Sequence, residues 1–329
     1  MRICLLTNQD LLADPFPKDD WPCDPRPYHP QAEWEVEYLT RPNSVKQVKK
    51  RIAEGFDVYF NLCDGAADQR AMPGIEVVKT LERAGVPFTG ASSVFYDPSR
   101  TMMKRACNAE GIDTPAFVLA RTAKDVNRAA ETLRFPLFVK HHHSYSSVDL
   151  TRRSRVTTPA GLRAQAKKII GRYGAALIEE FIEGTECTVL VAENPDDPDR
   201  PTTYTPIQYL FPEGETFKHA KMKWVDYGKM TSAPVTDPVL DARLRHVSAR
   251  FFVALRGAGF GRCDIRVDRS GRLFMLEINP NCGIYYPAKD AGSADICLAH
   301  DARGHVGFTD QLIRAALMRP ARRGRSVRR

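Results

Sequence analysis

The chain lacks any apolar run approaching the ~20 residues that would span a bilayer, which excludes a membrane-embedded bundle. It has no C-x-x-C pair. Its eight cysteines, Cys4, Cys23, Cys63, Cys107, Cys187, Cys263, Cys282 and Cys297, are scattered among apolar stretches. That distribution excludes the ligand spacing of a zinc site and points to a reduced, cytosolic protein using thiols as small core residues. There is no internal repeat, which excludes a solenoid or propeller. No basic helix with interleaved aromatics is present, so nucleic-acid binding is not expected. The first residues hold about four apolar positions before turning polar, too few for a secretory signal; Arg2–Thr7 is expected to be a first β-strand.

What is present is an ordinary soluble mixture: 329 residues, 43% hydrophobic and 27% charged. This length suits two or three packed domains. The net charge is +8, but Arg319–Arg329 contains six arginines and no acid, leaving +2 for the rest. The basic character is concentrated in a tail, expected to be a solvated end.

Strand and helix signals alternate through the first ninety residues. Ser44–Glu54 carries Val45, Val48 and Ile52 at helical spacing, with Asn43 or Ser44 as cap and Gly55 as stop. Val58–Leu62 is a short strand, Ile75–Ala84 a helix ended by Gly85, and Val86–Thr89 a further strand. Such alternation implies a parallel sheet with right-handed crossovers. Residues 11–33, rich in proline and aspartate, are expected to form a loop. Further on, helices are expected at Pro98–Ala109, Ala123–Leu133, Pro159–Gly171, Asp237–Arg256 and Thr309–Leu317. Strands are expected near Ala116–Leu119, Leu137–Lys140, Ala176–Glu180 and Cys187–Ala192. Arg262–Val267 and Arg272–Ile278 form two strands joined by the turn signal Asp268–Gly271.

That hairpin carries the strongest chemical signal. Glu277 and Asn279 are two residues apart and share a strand face, and antiparallel pairing can bring Asp264 beside them. Two carboxylates and an amide oxygen suit a hard cation such as Mg²⁺. The neighbours Phe274, Met275, Leu276 and Ile278 mark a mostly buried strand, where carboxylates need a cation or hydrogen bonds. Upstream, Lys140 ends the apolar strand Phe135–Val139, and Lys104 lies on a helix. A lysine at a strand end projects from the sheet edge, where phosphates commonly bind. In Ala176–Glu186 an apolar strand runs into an acid-bearing turn. Its backbone can read an adenine edge and Glu186 can accept from ribose hydroxyls.

Lys104, Lys140, the EEFIEGTE run, the FGRCDIRVD strand and the MLEINPNCGI strand stand in the order found in the ATP-grasp superfamily, and FTGASSVFYDPSRTMMKRACNAEGIDTP resembles a segment of D-alanine–D-alanine ligases. The resemblance spans roughly Val58–Gly283. It implies a three-domain ATP-grasp fold, α/β and α+β, with an N-terminal parallel α/β domain (1–92), a central lobe (93–180), a C-terminal lobe with the metal site (181–318) and the basic tail (319–329).

The resemblance also implies a reaction. ATP lies between the two lobes, a carboxylate is activated as an acylphosphate, and an amine attacks to give an amide with release of ADP and phosphate. Lys104 and Lys140 would hold phosphates, Glu179, Glu180 and Ile182 would line the adenine edge, and Glu186 would bind ribose. Asp264, Glu277 and Asn279 would hold two Mg²⁺ ions, with Mn²⁺ as a substitute. Arg262 and the Gly283 N–H would face a tetrahedral oxyanion. His141–Ser147 occupies the place of the family's phosphate loop, with Ser146 and Ser147 matching its serine pair and Asp149 standing where glycine is usual. Three successive histidines on an extended chain alternate in direction and chelate poorly. A mobile lid is expected at Phe217–Thr231, with Lys223, or else Lys221, reaching the γ-phosphate. Relatives are often dimers through the N-terminal domain.

The family's N-terminal glycine-serine-glutamate segment is replaced by Asn8-Gln9-Asp10, its histidine-glycine turn by Cys63-Asp64-Gly65, and the acceptor side carries Ile284-Tyr285-Tyr286-Pro287. The ATP half is intact and both amino-acid pockets are changed. The expectation is a ligase joining small-molecule carboxylate and amine substrates, one of them an amino acid, other than the D-alanine pair of the cell wall. A small-molecule kinase and a non-catalytic nucleotide-binding module are the alternatives.

Overall fold

The computed structural model describes residues 1–8, 23–65, 72–143, 149–219, 222 and 230–326, with side chains through 319. No helix among them is long and apolar enough to cross a membrane.

Three sheets organise the molecule. In the first, β1 (Arg2–Thr7) lies between β2 (Glu33–Tyr38) and β3 (Val58–Asn61), all parallel. Helices α1 (Ser44–Glu54) and α2 (Ile75–Ala84) accompany it, ended by Gly55 and Gly85 with φ of 74° and 68°. β2 alternates acid with apolar residue: Trp34 and Val36 pack inward, while Glu35 and Glu37 accept from Arg51. The loop expected over 11–33 therefore gives way to this strand at Glu33. The strand expected at Val86–Thr89 is reduced to one bridge, Tyr59 to Phe88. Pro87 has no N–H to carry the ladder back toward Asp57, and Asn61 N donates to Thr89 Oγ1 rather than to a carbonyl, so the ladder extends neither way.

The central lobe follows α3 (Arg100–Ala109). It comprises β4 (Phe117–Ala120), α4 (Ala123–Thr132), β5 (Leu137–His141), β6 (Arg155–Val156), α5 (Pro159–Tyr173) and β7 (Ala176–Glu180), with sheet order β4-β7-β5-β6. Thr122 and Asp125 form a capping box on α4, and the Thr158 hydroxyl accepts from Gly161 N at the start of α5. Its core, including Val139, Leu162, Ile169 and Ile178, draws on this lobe alone. The other two cores mix N-terminal residues such as Leu6 and Phe60 with C-terminal ones such as Val189, Ile265 and Phe308. The central lobe thus has its own apolar interior, while the flanking regions share theirs.

The C-terminal sheet contains β8 (Gly184–Ala192), β9 (Thr202–Thr203), β10 (Ile207–Leu210), β11 (Thr231–Pro234), β12 (Phe260–Asp268) and β13 (Leu273–Pro280). Its order is β11-β10-β8-β12-β13, with β9 also on β8. Helices α6 (Pro238–Ala254), α7 (Ser293–Ala299) and α8 (Gly304–Ser326) complete the fold. Gly184 has φ of 145°, and a Cβ there would lie 2.0 Å from Val267 O, so β8 enters the sheet only with glycine at that point.

The first residue of the expected tail, Arg319, is not solvated. The backbone stays helical to Ser326. Arg319 is nearly buried: it pairs with Glu193 at 2.9 Å, donates to the Phe88 and Gly90 carbonyls, and lies over the Phe88 ring. A buried carboxylate requires such a partner, which draws the first tail residue into the body.

All eight cysteines are buried. Burial pushes the Cys4, Cys107, Cys187, Cys282 and Cys297 thiols up to about 12.

Candidate active site

Helix α3 begins where Ser99 Oγ accepts from Met102 N. One turn separates Arg100 from Lys104, so both side chains leave the same helix face. Arg100 donates to the carbonyl of His141 at 2.7 Å and pairs with Glu277 at 3.0 Å. Lys104 donates to Thr114 Oγ1 at 2.6 Å, and Thr114 donates to the Met275 carbonyl at 2.9 Å. One helix face therefore ties the central lobe to the hairpin β12–β13.

Glu179 on β7 is buried between two lysines. Its carboxylate oxygens lie 2.6 Å from Lys104 Nζ and 2.7 Å from Lys140 Nζ. Burial alone would raise its pKa; the two ammonium groups and their hydrogen bonds overcome that and hold it at about 2. Burial, with the Lys140 charge adding to it, depresses Lys104 against the pull of Glu179. Glu179 and Glu180 part company because successive strand residues point to opposite faces. Glu180 pairs with Arg134 at 2.9 Å on the outer side, away from the lysines.

The C-terminal sheet presents one polar face. Register pairs Glu186 with Arg266, Thr188 with Asp264, Asp264 with Glu277, and Arg262 with Asn279. A bulge between Asp264/Glu277 and Ile265/Met275 leaves Glu277 and Asn279 on the polar face and returns Met275 to the core. Asp264 accepts from Arg262 Nε at 3.1 Å and its terminal nitrogen at 3.0 Å, from Thr188 Oγ1 at 2.8 Å and from Asn279 Nδ2 at 3.1 Å. Burial opposes its ionisation, but Arg262, Lys218 and these hydrogen bonds hold the acid at about 2. The Asp264 charge keeps Arg262 well above its ordinary value despite burial.

Among the described residues no group of three His, Cys, Asp or Glu side chains is arranged to hold a metal ion. Asp264, Glu277 and Asn279 make a hard-oxygen set of two carboxylates and one amide, which fits Mg²⁺ if phosphate and water complete the shell. The ionised state of Asp264 suits this role. Arg262 spans both Asp264 oxygens, whereas Arg100 uses only Oε2 of Glu277.

The remaining expected residues are distributed as follows. Glu186 pairs with Arg266 at 3.0 Å and Lys218 at 3.4 Å. The Ile182 carbonyl accepts from Arg266 at 3.2 Å. Gly283 lies under Tyr286, whose hydroxyl would be 2.1 Å from a Cβ there, so a larger residue fits only if the tyrosine ring moves. Ser146, Ser147, Lys221 and Lys223 lie outside the described residues. At the start of the expected lid Phe217 and His219 are buried, and Phe217 packs edge-on against Phe138. Tyr285 is a core residue whose hydroxyl bonds Thr309 Oγ1 at 3.0 Å.

The histidine run does not alternate throughout, because β5 ends at His141. The His141 and His142 rings stack at 4.9 Å, and His143 Nε2 lies 3.2 Å from Asp97. Asp149 has a φ of 55°, the conformation that favours glycine, and is held by Arg172 at 2.8 Å and by the Tyr173 hydroxyl.

Arg100, Thr114, Thr188 and Arg266 were not singled out from the sequence. Signals existed for three of them: Arg100 precedes Lys104 by four residues, and Thr188 and Arg266 stand two residues from Glu186 and Asp264 on the same strand faces. Thr114 carried none.

Comparison with known proteins bears on this geometry. The family model described as D-ala D-ala ligase C-terminus matches residues 107–286. An uncharacterised protein of Sinorhizobium fredii is 30% identical over 242 residues, covering 71% of this chain and 68% of that one. A D-alanine–D-alanine ligase of Xanthomonas axonopodis is 29% identical over 248 residues, covering 72% of each. Among solved structures, the D-alanine–D-alanine ligase of Bacillus anthracis complexed with ATP has a TM-score of 0.67 at 16% identity, covering 98% of this chain and 100% of that one. A D-Ala:D-Ser ligase of Enterococcus faecalis has a TM-score of 0.65 at 15% identity, covering 96% and 99%. The chain belongs to the D-alanine–D-alanine ligase-like family of the ATP-grasp superfamily, a family of ATP-dependent carboxylate–amine ligases.

Proposed function

We propose that the protein forms an amide bond between a small carboxylic acid and an amine, one of them an amino acid, at the cost of ATP. The observation that carries this reading is Arg100, which joins the metal-suited acid Glu277 to the main chain beside Lys140. It supports a single cleft with phosphate-binding cations on one wall and acids on the other.

In this reading Glu179 orients Lys104 and Lys140 toward the nucleotide phosphates. Lys104 is itself fixed by the ion pair with Glu179 and the hydrogen bond to Thr114. Asp264, Glu277 and Asn279 hold Mg²⁺, which supplies charge neutralisation at the transferring phosphoryl group. A substrate carboxylate oxygen takes the γ-phosphoryl group, ADP leaves, and the amine nitrogen attacks the acyl carbon. Phosphate departs with the oxygen it received, and the nitrogen gives up its proton. Arg262 and the Gly283 N–H stabilise the negative oxygen of the tetrahedral intermediate. Positioning and electrostatics do the work, with no covalent nucleophile.

The altered Cys63-Asp64-Gly65 turn and the core placement of Tyr285 favour an acid–amine pair other than two D-alanines. A cytosolic enzyme with boundaries near residues 92 and 180 accords with this account. The test supplies ATP, Mg²⁺ and a panel of acids and amines that includes D-alanine, with ¹⁸O in the carboxylates. An amide by mass spectrometry with one ¹⁸O in the released phosphate supports the proposal. Phosphate released without label or amide contradicts it.

A further inference from the structure

Lys218 lies on the polar face of the C-terminal sheet, outside the roles given above. Its Nζ is 3.1 Å from the centroid of the Tyr209 ring and 3.4 Å from Glu186 Oε1, and its side chain is 14% exposed. Glu186 is therefore used twice, because Arg266 holds its other oxygen at 3.0 Å. The two cations differ in freedom. Arg266 also donates to the carbonyls of Ile182, Gly184 and Thr216, which fixes its fork within the sheet. Among the described residues Lys218 has a single carboxylate contact, on a flexible four-carbon stem.

Glu186 and Thr188 share one face of β8, about 7 Å apart along the strand, and Thr188 holds Asp264. The Lys218 ammonium feels both acids. Burial would lower its pKa, but Tyr209, Glu186 and Asp264 together raise it, so it stays charged. It lies against the acid assigned to ribose, on the sheet face that also carries the acid assigned to the metal. A nucleotide running from Glu186 toward Asp264 carries its phosphates across that face.

We propose that Lys218 is a nucleotide-phosphate ligand that yields Glu186 Oε1 to a ribose hydroxyl and takes a phosphate oxygen in exchange. This rests on the reading of Glu186 and Asp264 given above. The exchange keeps both charges paired: the carboxylate gains hydroxyl donors and the ammonium gains a phosphate.

The test titrates adenosine and Mg·ADP calorimetrically into the wild-type protein and into Lys218→Met and Lys218→Arg. Lys218→Met should weaken Mg·ADP binding by roughly 10- to 100-fold, the effect of losing one charged hydrogen bond. It should leave adenosine binding within about threefold, because no phosphate is present and Glu186 Oε1 is released. Lys218→Arg should restore most of the Mg·ADP affinity. Equal weakening of adenosine and Mg·ADP would mean that Lys218 only props Glu186, and would overturn the proposal, as would Mg·ADP affinity unchanged in Lys218→Met. If the wild-type protein binds neither ligand, the nucleotide reading falls and this proposal with it. Lys218→Gln, which keeps a polar head over Tyr209, decides the same comparison if Lys218→Met does not fold.

Discussion

Replacing Glu179 by glutamine removes the one charge that two buried lysines share. Lys104 and Lys140 approach it at 2.6 and 2.7 Å, and the carboxylate is 3% exposed. Removing one partner from a buried ionic cluster costs about 3–5 kcal/mol, since the remaining charges stay desolvated. The depression of the acid points the same way. A fall from 4.5 to about 2 in the folded state, at ~1.36 kcal/mol per unit, corresponds to about 3 kcal/mol. For a chain of 329 residues melting cooperatively, with about 2.1 cal/mol/K of entropy per residue, a loss of 3–5 kcal/mol lowers Tm by roughly 4–7 °C. Because the folded acid is the stronger one, its contribution is complete above about pH 4.5 and disappears as pH falls toward about 2. The difference between wild type and Glu179→Gln should therefore be full at pH 7 and shrink steadily below about pH 4.5. Circular dichroism melts and urea titrations across that range read both effects. A variant within about 1 °C of wild type at pH 7, or a difference that does not change with pH, would refute the reasoning.

Three further outcomes follow from the geometry. Glu277→Gln should keep the fold at a cost of roughly 1–3 kcal/mol, because buried Arg100 loses its carboxylate partner, and reduce Mg²⁺-dependent ADP release at least ~100-fold; retained turnover would remove Glu277 from the metal set. Asp149→Gly should stay within about 1 kcal/mol of wild type, because relief of a left-handed residue offsets loss of the Arg172 and Tyr173 contacts, whereas Asp149→Ala should lose roughly 1–3 kcal/mol in urea unfolding. Arg319→Met should cost about 2–3 kcal/mol by leaving Glu193 without its arginine; a neutral effect would show the contact to be incidental.

Local signals carried much of the fold. The bounds of α1, α2 and β7 match the sequence reading because glycine stops and apolar periodicity act within a few residues. The β12–β13 hairpin was legible in Asp268–Gly271, where Asp268 Oδ1 accepts from Ser270 N and Arg272 N. The four-residue strands β10 and β11 were not legible, since neither has a strong alternating pattern. The site was legible in composition but not in its pairings. Lys104, Lys140 and Glu179 were each noticed, yet nothing near them in sequence shows that three separate elements converge on one carboxylate. Glu179 is expected at the adenine edge partly through its backbone, and its side chain holds the two lysines. At Arg319 arginine density predicts solvation, while one buried acid, Glu193, recruits the side chain.

The central claim is that one cleft holds a nucleotide between the lysines fixed by Glu179 and the acids of β12 and β13. The most direct measurement is calorimetric titration of ATP into the wild-type protein with and without Mg²⁺. The account predicts saturable, one-to-one binding that tightens at least ~10-fold with Mg²⁺ and is lost in Lys140→Met. Absence of ATP binding under both conditions, or binding indifferent to Mg²⁺ and to Lys140, would contradict it.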